Sequence, residues 1–132
     1  MTENGALPPS DRVHPPTYER RDERGDFVEI VNEGPWETVI HGRMHAGATL
    51  GQHYHKECRA LFYLVSGRAE VSIVHLAEGG QRSREVLGPR QGIYLLPYET
   101  HKIHFTEESA FVLLKSYRYD PEKPDVYPHP IA

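Results

Sequence analysis

Short apolar segments separated by turn residues dominate this sequence from residue 26 onward. They are rich in β-branched and aromatic side chains, which favour strands. No window of about 11 residues repeats apolar side chains at helical spacing. The segments are residues 27–31, 39–44, 61–65, 69–76, 93–96 and 111–117. With Gly and Pro turn signals between them, they predict roughly six to eight antiparallel strands in an all-β sandwich or barrel.

Length and proline distribution predict one domain preceded by an arm. A chain of 132 residues and 15.1 kDa fits a single globular domain. The first 20 residues hold four of the 11 prolines and no periodic apolar pattern. We therefore predict an extended Pro-rich N-terminal arm over residues 1–21 and the folded domain over residues 22–132. The basic residues 82, 84 and 90 with Glu85 predict a charged loop.

Composition excludes several classes of function. The 15 Lys and Arg against 19 Asp and Glu give a net charge of -4, so a field that attracts nucleic acid is absent. No segment approaches the ~20 apolar residues of a membrane helix, and the N-terminus lacks an apolar signal. We expect a cytoplasmic protein with neither a membrane nor a nucleic acid as partner. Cys58 is the single cysteine, so an internal disulfide and a Cys-based zinc site are excluded.

Three of the 9 histidines are predicted to converge. His53 and His55 lie two residues apart, so on a strand both side chains point to the same face. His101 follows the turn at Pro97, and in a small barrel its strand can face the first one. Three neutral imidazoles form a common ligand set for Zn, Fe, Mn or Ni. The same side chains without metal can act as general bases, so both possibilities stay open.

A second alternation of polar side chains has two interpretations. His41, Arg43 and His45 share one face of a predicted strand. They form either a pocket wall that binds phosphate or a carboxylate, or a solvated outer face.

At the histidine segment the sequence resembles a cupin. The resemblance implies a single-domain cupin, a jelly-roll antiparallel β-barrel. Metal-binding cupins have a Glu where this chain has Ala60, so a metal here would be held by His53, His55 and His101 alone. The expected cofactor is accordingly none, or one divalent ion of Zn, Fe, Mn or Ni. The matching positions are Gly47, His53, Tyr54, His55 and Gly67, followed by Pro97 and His101.

A narrower resemblance, within the RmlC-like cupin superfamily, is to nucleotide-sugar enzymes. The segment DERGDFVEI is similar to the opening of dTDP-4-keto-6-deoxy-sugar 3,5-epimerases and of the cupin domain in capsular UDP-sugar epimerase/reductases. GQHYHKE and YDPEKPDVYP resemble segments of the latter, and HYHKECRALFYLVSG resembles the dTDP-sugar 3,4-ketoisomerases. The resemblance implies His53 and His55 as acid/base groups. It also implies that Arg24 and Glu29 hold the nucleotide part of the substrate.

Isomerisation next to a ketone explains why such residues recur. A carbon-bound proton must leave and return through an enediolate, whose oxyanion needs stabilisation. Besides the histidines, Tyr117 or Tyr119 could return the proton. Arg43, His45 and His104 complete the predicted substrate-binding set. We expect an isomerase, an epimerase or ketoisomerase in polysaccharide or natural-product sugar biosynthesis.

Two other functions remain open from the sequence. A three-His metal-dependent cupin could be a dioxygenase, lyase or cyclase for a small metabolite. A non-catalytic sugar-binding cupin is favoured by Ala60 and by Leu50, which stands where the epimerases and ketoisomerases have a basic residue. In each case we expect a homodimer, with the Pro-rich arm as a plausible exchanged segment.

Overall fold

The computed structural model describes residues 12–131, so the first part of the predicted arm, residues 1–11, lies outside the described residues. Within this range no helix is long and apolar enough to cross a membrane. The strands are β1 (Val13–His14), β2 (Tyr18–Asp22), β3 (Gly25–Glu29), β4 (Thr38–Met44), β5 (Thr49–Tyr54), β6 (Ala60–Ser66), β7 (Ala69–His75), β8 (Gln81–Leu87), β9 (Gln91–Leu95), β10 (Glu99–Phe105), β11 (Ser109–Lys115) and β12 (Tyr127–Pro128), and a short 3-10 helix covers Leu76–Glu78.

Two five-stranded antiparallel sheets form the body. Their strand orders are β1-β9-β6-β11-β4 and β12-β5-β10-β7-β8, and β2 with β3 forms a separate hairpin. Neighbouring strands that lie far apart in sequence, such as β5 and β10, require long connections across the barrel ends. The all-β antiparallel fold predicted from the short apolar segments is confirmed.

The hydrophobic core lies between the two sheets. Phe62 of β6 has its ring centroid 5.3 Å from that of Phe111 and 6.1 Å from that of Phe105. Phe62 and Phe105 are fully buried, and burial of each is worth about 2–3 kcal/mol. Aliphatic side chains from both sheets surround the rings, among them Leu64, Val71, Ile73, Leu87 and Ile93. This packing fixes the two sheets against each other and holds the strands that carry the histidines.

Residues 81–87 form a strand, so the charged loop predicted over Arg82, Arg84 and Glu85 was wrong, whereas Arg90 does lie in the turn between β8 and β9. β8 pairs along its whole length with β7, from Ala69 opposite Leu87 to His75 opposite Gln81. Leu87 points into the core, whereas Arg84 is exposed and lies 2.7 Å from Glu70. β8 is an edge strand, and charged side chains are common on edge strands because they discourage pairing with other chains.

The described part of the predicted arm contains regular structure. β1 pairs with β9, and Arg12 beside it donates to the Glu99 carboxylate at 2.8 Å. The β2–β3 hairpin joins the body through Arg90, which donates to Glu19 at 2.7 Å and to Asp26 at 2.9 Å. Residues 12–21 are therefore attached to the barrel by strand pairing and ion pairs.

Candidate active site

A cavity of about 240 Å³ lies between the two sheets and is continuous with the core. Most of its wall is apolar. The polar side chains on the wall are three imidazoles and one ammonium group. The apolar wall includes Leu50, Phe62, Leu95, Ile103 and Leu113, and the polar side chains are those of His53, His55, His101 and Lys115.

The three histidines meet at one point of this wall. His53 lies on β5 and faces His101 on β10 as its register partner, and His55 follows directly after β5. One ring nitrogen of each lies within 4.8 Å of the others. The ring centroid of His53 is 4.8 Å from that of His101 and 5.1 Å from that of His55. The structure thus brings together the set that the spacing predicted.

A glycine allows β5 to approach His101 closely. Gly51 has a φ of +95°, a conformation that L side chains rarely adopt. A Cβ atom at this position would lie only 2.6 Å from the His101 carbonyl oxygen and 2.9 Å from its ring. A side chain at residue 51 would therefore push β5 away from β10 and separate His53 from His101.

Asp125 in the C-terminal segment orients His55. The Nδ1–H group of His55 donates to the Asp125 carbonyl oxygen at 2.6 Å, which leaves Nε2 with its lone pair free. The Asp125 carboxylate accepts the backbone N–H groups of Lys56, Glu57 and Cys58 at 2.9, 3.0 and 2.9 Å. Burial acts to raise the pKa of this carboxyl, but the three N–H donors outweigh it and the pKa is lowered.

Burial keeps the imidazoles neutral. Burial is the main cause that lowers the pKa of His101 to about 3. Repulsion from His53 and His55, when those rings are protonated, lowers it further. Burial likewise lowers the pKa of His53 and of His55. The Nδ1 atom of His101 is buried without a hydrogen-bond partner among the described residues. Neutral imidazoles with free lone pairs can accept a proton or ligate a metal.

We expect Asp125→Ala to lower the free energy of unfolding by about 2–4 kcal/mol, because three backbone donors lose their acceptor and some of them are buried. Asp120→Ala is the matched control, since the exposed Asp120 carboxylate accepts only the N–H of Glu122 among the contacts observed. Urea unfolding at pH 7 measures both variants. Equal losses in the two would contradict the role assigned to Asp125.

The two candidate tyrosines lie away from the histidine cavity. The Tyr117 hydroxyl donates to the Lys123 carbonyl oxygen at 2.9 Å and lines a separate surface depression with Glu57. Tyr119 is 60% exposed. In this single chain neither ring faces the imidazoles.

The predicted nucleotide-binding residues lie on the β2–β3 hairpin. Arg24 is exposed at its turn and donates to Asp22 at 2.7 Å. The Glu29 carboxylate accepts the Thr17 hydroxyl at 2.9 Å. Neither lines the cavity.

The other predicted substrate-binding residues also lie outside the cavity lining. The Arg43 side chain is exposed and lies 3.6 Å from Glu108. His45 is exposed as well. The ring of His104 points away from the histidine cluster, and its Nδ1 lies 3.2 Å from the Thr49 hydroxyl.

Lys115 is the cavity residue that the sequence reasoning missed. It ends β11, two residues after Leu113 and four after Phe111, and all three side chains line the cavity. The alternation of a strand places these three positions on one face. That alternation was the available signal, because two apolar residues on one face of a strand predict an inward direction for the third.

Comparison with known proteins adds a family to this geometry. Residues 20–127 match the family model of the polysaccharide biosynthesis C-terminal domain. The chain belongs to this family. Comparison with curated protein sequences gave no significant match.

This polysaccharide biosynthesis domain has the fold of the RmlC-like cupins. It is similar to the RmlC epimerase of Mycobacterium tuberculosis, with a TM-score of 0.71, 22% identity and coverage of 83% of this chain and 64% of that one. For the QdtA 3,4-ketoisomerase of Thermoanaerobacterium thermosaccharolyticum the TM-score is 0.70 at 20% identity, covering 88% of this chain and 87% of that one. The cupin fold that the resemblance implied is confirmed.

The capsular polysaccharide assembling protein CapF of Staphylococcus aureus is a third similar structure. Its TM-score is 0.67 at 20% identity, over 86% of this chain. The domain spans about a third of the CapF chain, since it covers 34% of it.

Proposed function

We propose that this protein is an epimerase or ketoisomerase of a dTDP- or UDP-linked keto-deoxy sugar, acting by proton transfer from and to histidine. The observation that carries the proposal is the convergence of three imidazoles, two buried and that of His53 half-buried, in one cavity between the sheets. Family membership in polysaccharide biosynthesis and structural similarity to an epimerase and a ketoisomerase support the same class of substrate.

His53 is the proposed base. Its pKa is lowered by burial, so at pH 7 its imidazole is unprotonated and ready to remove a proton from the carbon next to the ketone. His55, held by the Asp125 carbonyl, has its Nε2 free to exchange a proton with the same substrate. The proton leaves as the enediolate forms and returns to carbon as the ketone is restored.

The cavity size limits which part of the substrate is enclosed. A volume of about 240 Å³ accommodates a sugar ring but not a whole nucleotide sugar. The nucleotide would therefore extend outside the cavity, where Arg24, Glu29, Arg43, His45 and His104 are the candidate contacts. Tyr117 and Tyr119 do not line the cavity, so as proton donors they would have to reach a part of the substrate that protrudes from it.

A divalent metal fits the same three imidazoles. His53, His55 and His101 offer three neutral nitrogens within 4.8 Å of one another, a donor set suited to Zn, Fe, Mn or Ni. Such an ion would supply Lewis-acid stabilisation to an oxygen of the substrate. This cluster also favours a second candidate function, a metal-dependent dioxygenase, lyase or cyclase.

The decisive experiment is proton exchange in deuterated water. We expect NMR to show loss of the C3 or C5 proton signal of a dTDP- or UDP-4-keto-6-deoxy sugar. We expect the same loss when a metal chelator is present. If exchange appears only after Zn, Fe, Mn or Ni is added, His53 would be a metal ligand and another group would be the base. Binding of the sugar without exchange under all conditions would favour a sugar-binding module. If the protein neither binds the sugar nor catalyses exchange, the metal-dependent enzyme for a small metabolite would remain as the candidate function.

We also propose that the protein forms a homodimer. The hairpin exposes Tyr18 and Phe27 at 49% and 52%, two aromatic side chains in edge-to-face contact that a second copy could cover. We expect sedimentation equilibrium to give twice the chain mass. We expect Tyr18→Ser with Phe27→Ser to give the monomer mass, and a monomeric wild type would contradict this proposal.

A further inference from the structure

Lys115 brings a positive charge into the cavity from the strand next to β6. It is the register partner of Ala60, and both residues line the cavity. Ala60 is only 2% exposed, and its methyl group leaves space beside the longer Lys115 side chain. One part of the cavity wall is therefore formed by the small side chain of Ala60 on β6 and the cationic side chain of Lys115 on β11.

This ammonium group has no countercharge on the cavity wall. Among the described lining residues none carries a carboxylate, a hydroxyl or a side-chain amide. None of the ion pairs observed over residues 12–131 includes Lys115. Lys115 is half-buried, and its ammonium is therefore available to form an ion pair with an anionic ligand.

We propose that Lys115 makes this cavity an anion-binding site for a ligand with one anionic oxygen on a small, largely apolar body. Leu50, Phe62 and Ile103 would contact the body of the ligand, and the ammonium would pair with the oxygen. The identity of this oxygen during the reaction rests on the proposed function, because in an isomerisation it would be the enediolate oxygen. In a bound small acid it would be a carboxylate oxygen.

The imidazoles leave this charge uncompensated. Burial is the main cause that lowers the pKa of all three, and the charge of Lys115 contributes to each. All three rings line the cavity together with Lys115, and none of them carries a negative charge that could pair with its ammonium. One cation among apolar walls suits a monoanion. A phosphate dianion needs more donors than this wall provides.

Benzoate and benzamide are matched probes for this site, since they have similar shape and differ in charge. We expect calorimetry in chelator to show benzoate binding to the wild type at least about tenfold more tightly than benzamide. Lys115→Met keeps the length of the side chain and removes its charge, and we expect it to abolish that preference. Lys102→Met is the control, because Lys102 lies on β10 outside the cavity lining.

Several outcomes would overturn the inference: no benzoate binding to the wild type, an unchanged preference in Lys115→Met, or tighter binding of inorganic phosphate than of benzoate. Lys115→Gln provides a second uncharged variant if the Met variant does not fold. Because these measurements use no sugar, a negative result would count against the anion site and would leave the proposed isomerase reaction untouched. Exchange that fails while benzoate binds would count against the proposed reaction alone.

Affinity for Co²⁺ gives an independent readout. If the ammonium lies close to the imidazoles, its removal relieves repulsion of a dication, and we expect Lys115→Met to bind Co²⁺ about tenfold or more tightly than the wild type. Equal Co²⁺ affinities would contradict that proximity.

Discussion

We expect His53→Ala to lower the rate of solvent exchange at the reacting carbon by a factor of about 10² to 10⁴, the usual contribution of a positioned general base. The side chain lies on the cavity wall, 4.8 Å from His101 between ring centroids, and its lowered pKa keeps it unprotonated at neutral pH. Alanine at this position offers no proton acceptor. The measurement is the rate of loss of the C3 or C5 proton signal in deuterated water, under chelator.

His41→Ala is the control for this variant. His41 is an exposed residue on β4 and does not line the cavity. We expect its exchange rate to equal that of the wild type. A His53→Ala rate within about threefold of wild type would remove His53 from the base role, because loss of a general base costs far more than that.

We expect the protein to lose stability in mild acid, because burial disfavours protonation of His101 in the folded state. Its pKa is about 3 when folded, against an ordinary value of 6.5, so between these two values the unfolded chain binds more protons. Stability therefore falls as pH decreases below 6.5, by up to roughly 1.4 kcal/mol per pH unit for this one group. Between pH 6.5 and 4.5 the expected loss is about 2–3 kcal/mol.

His101→Asn tests the source of this slope. Urea unfolding at several pH values from 7 to 4.5, in chelator, gives the free energy for both proteins. Above about pH 5.5 the carboxyls remain largely ionised in both states, so the histidines dominate the slope there. Closer to pH 4.5 the carboxyls with lowered pKa add a slope that both proteins share; they are Asp22, Asp26, Glu33, Glu70, Glu99 and Asp125. We expect a shallower slope in the variant, and parallel curves would refute the assignment to His101.

The histidine cluster shows how far residue spacing reaches. The interval of two between His53 and His55 implied a shared face whatever sheet the strand joined. The apolar segments similarly implied most strands of the body. In β8 charged side chains outnumber apolar ones, and such a composition predicts a loop. Edge position and pairing with β7 decided its strand conformation.

The contacts of Asp125, and the position of Lys115 opposite Ala60, are features that spacing could not supply. Nothing local marks Asp125 as the acceptor for the backbone after His55, since the two segments lie 70 residues apart in sequence and meet through the fold. Lys115 stands opposite Ala60 because β6 and β11 pair in one particular register.

The sequence by itself determined the all-β class, the face shared by His53 and His55, and the exclusion of disulfide chemistry, because these follow from local periodicity and composition. Only the tertiary structure decided that Asp125 orients His55, and that Lys115, opposite Ala60, adds a cation to the lining of the cavity that holds the imidazoles. Those features depend on which strands pair and in what register, and that pairing is set by packing of the whole core.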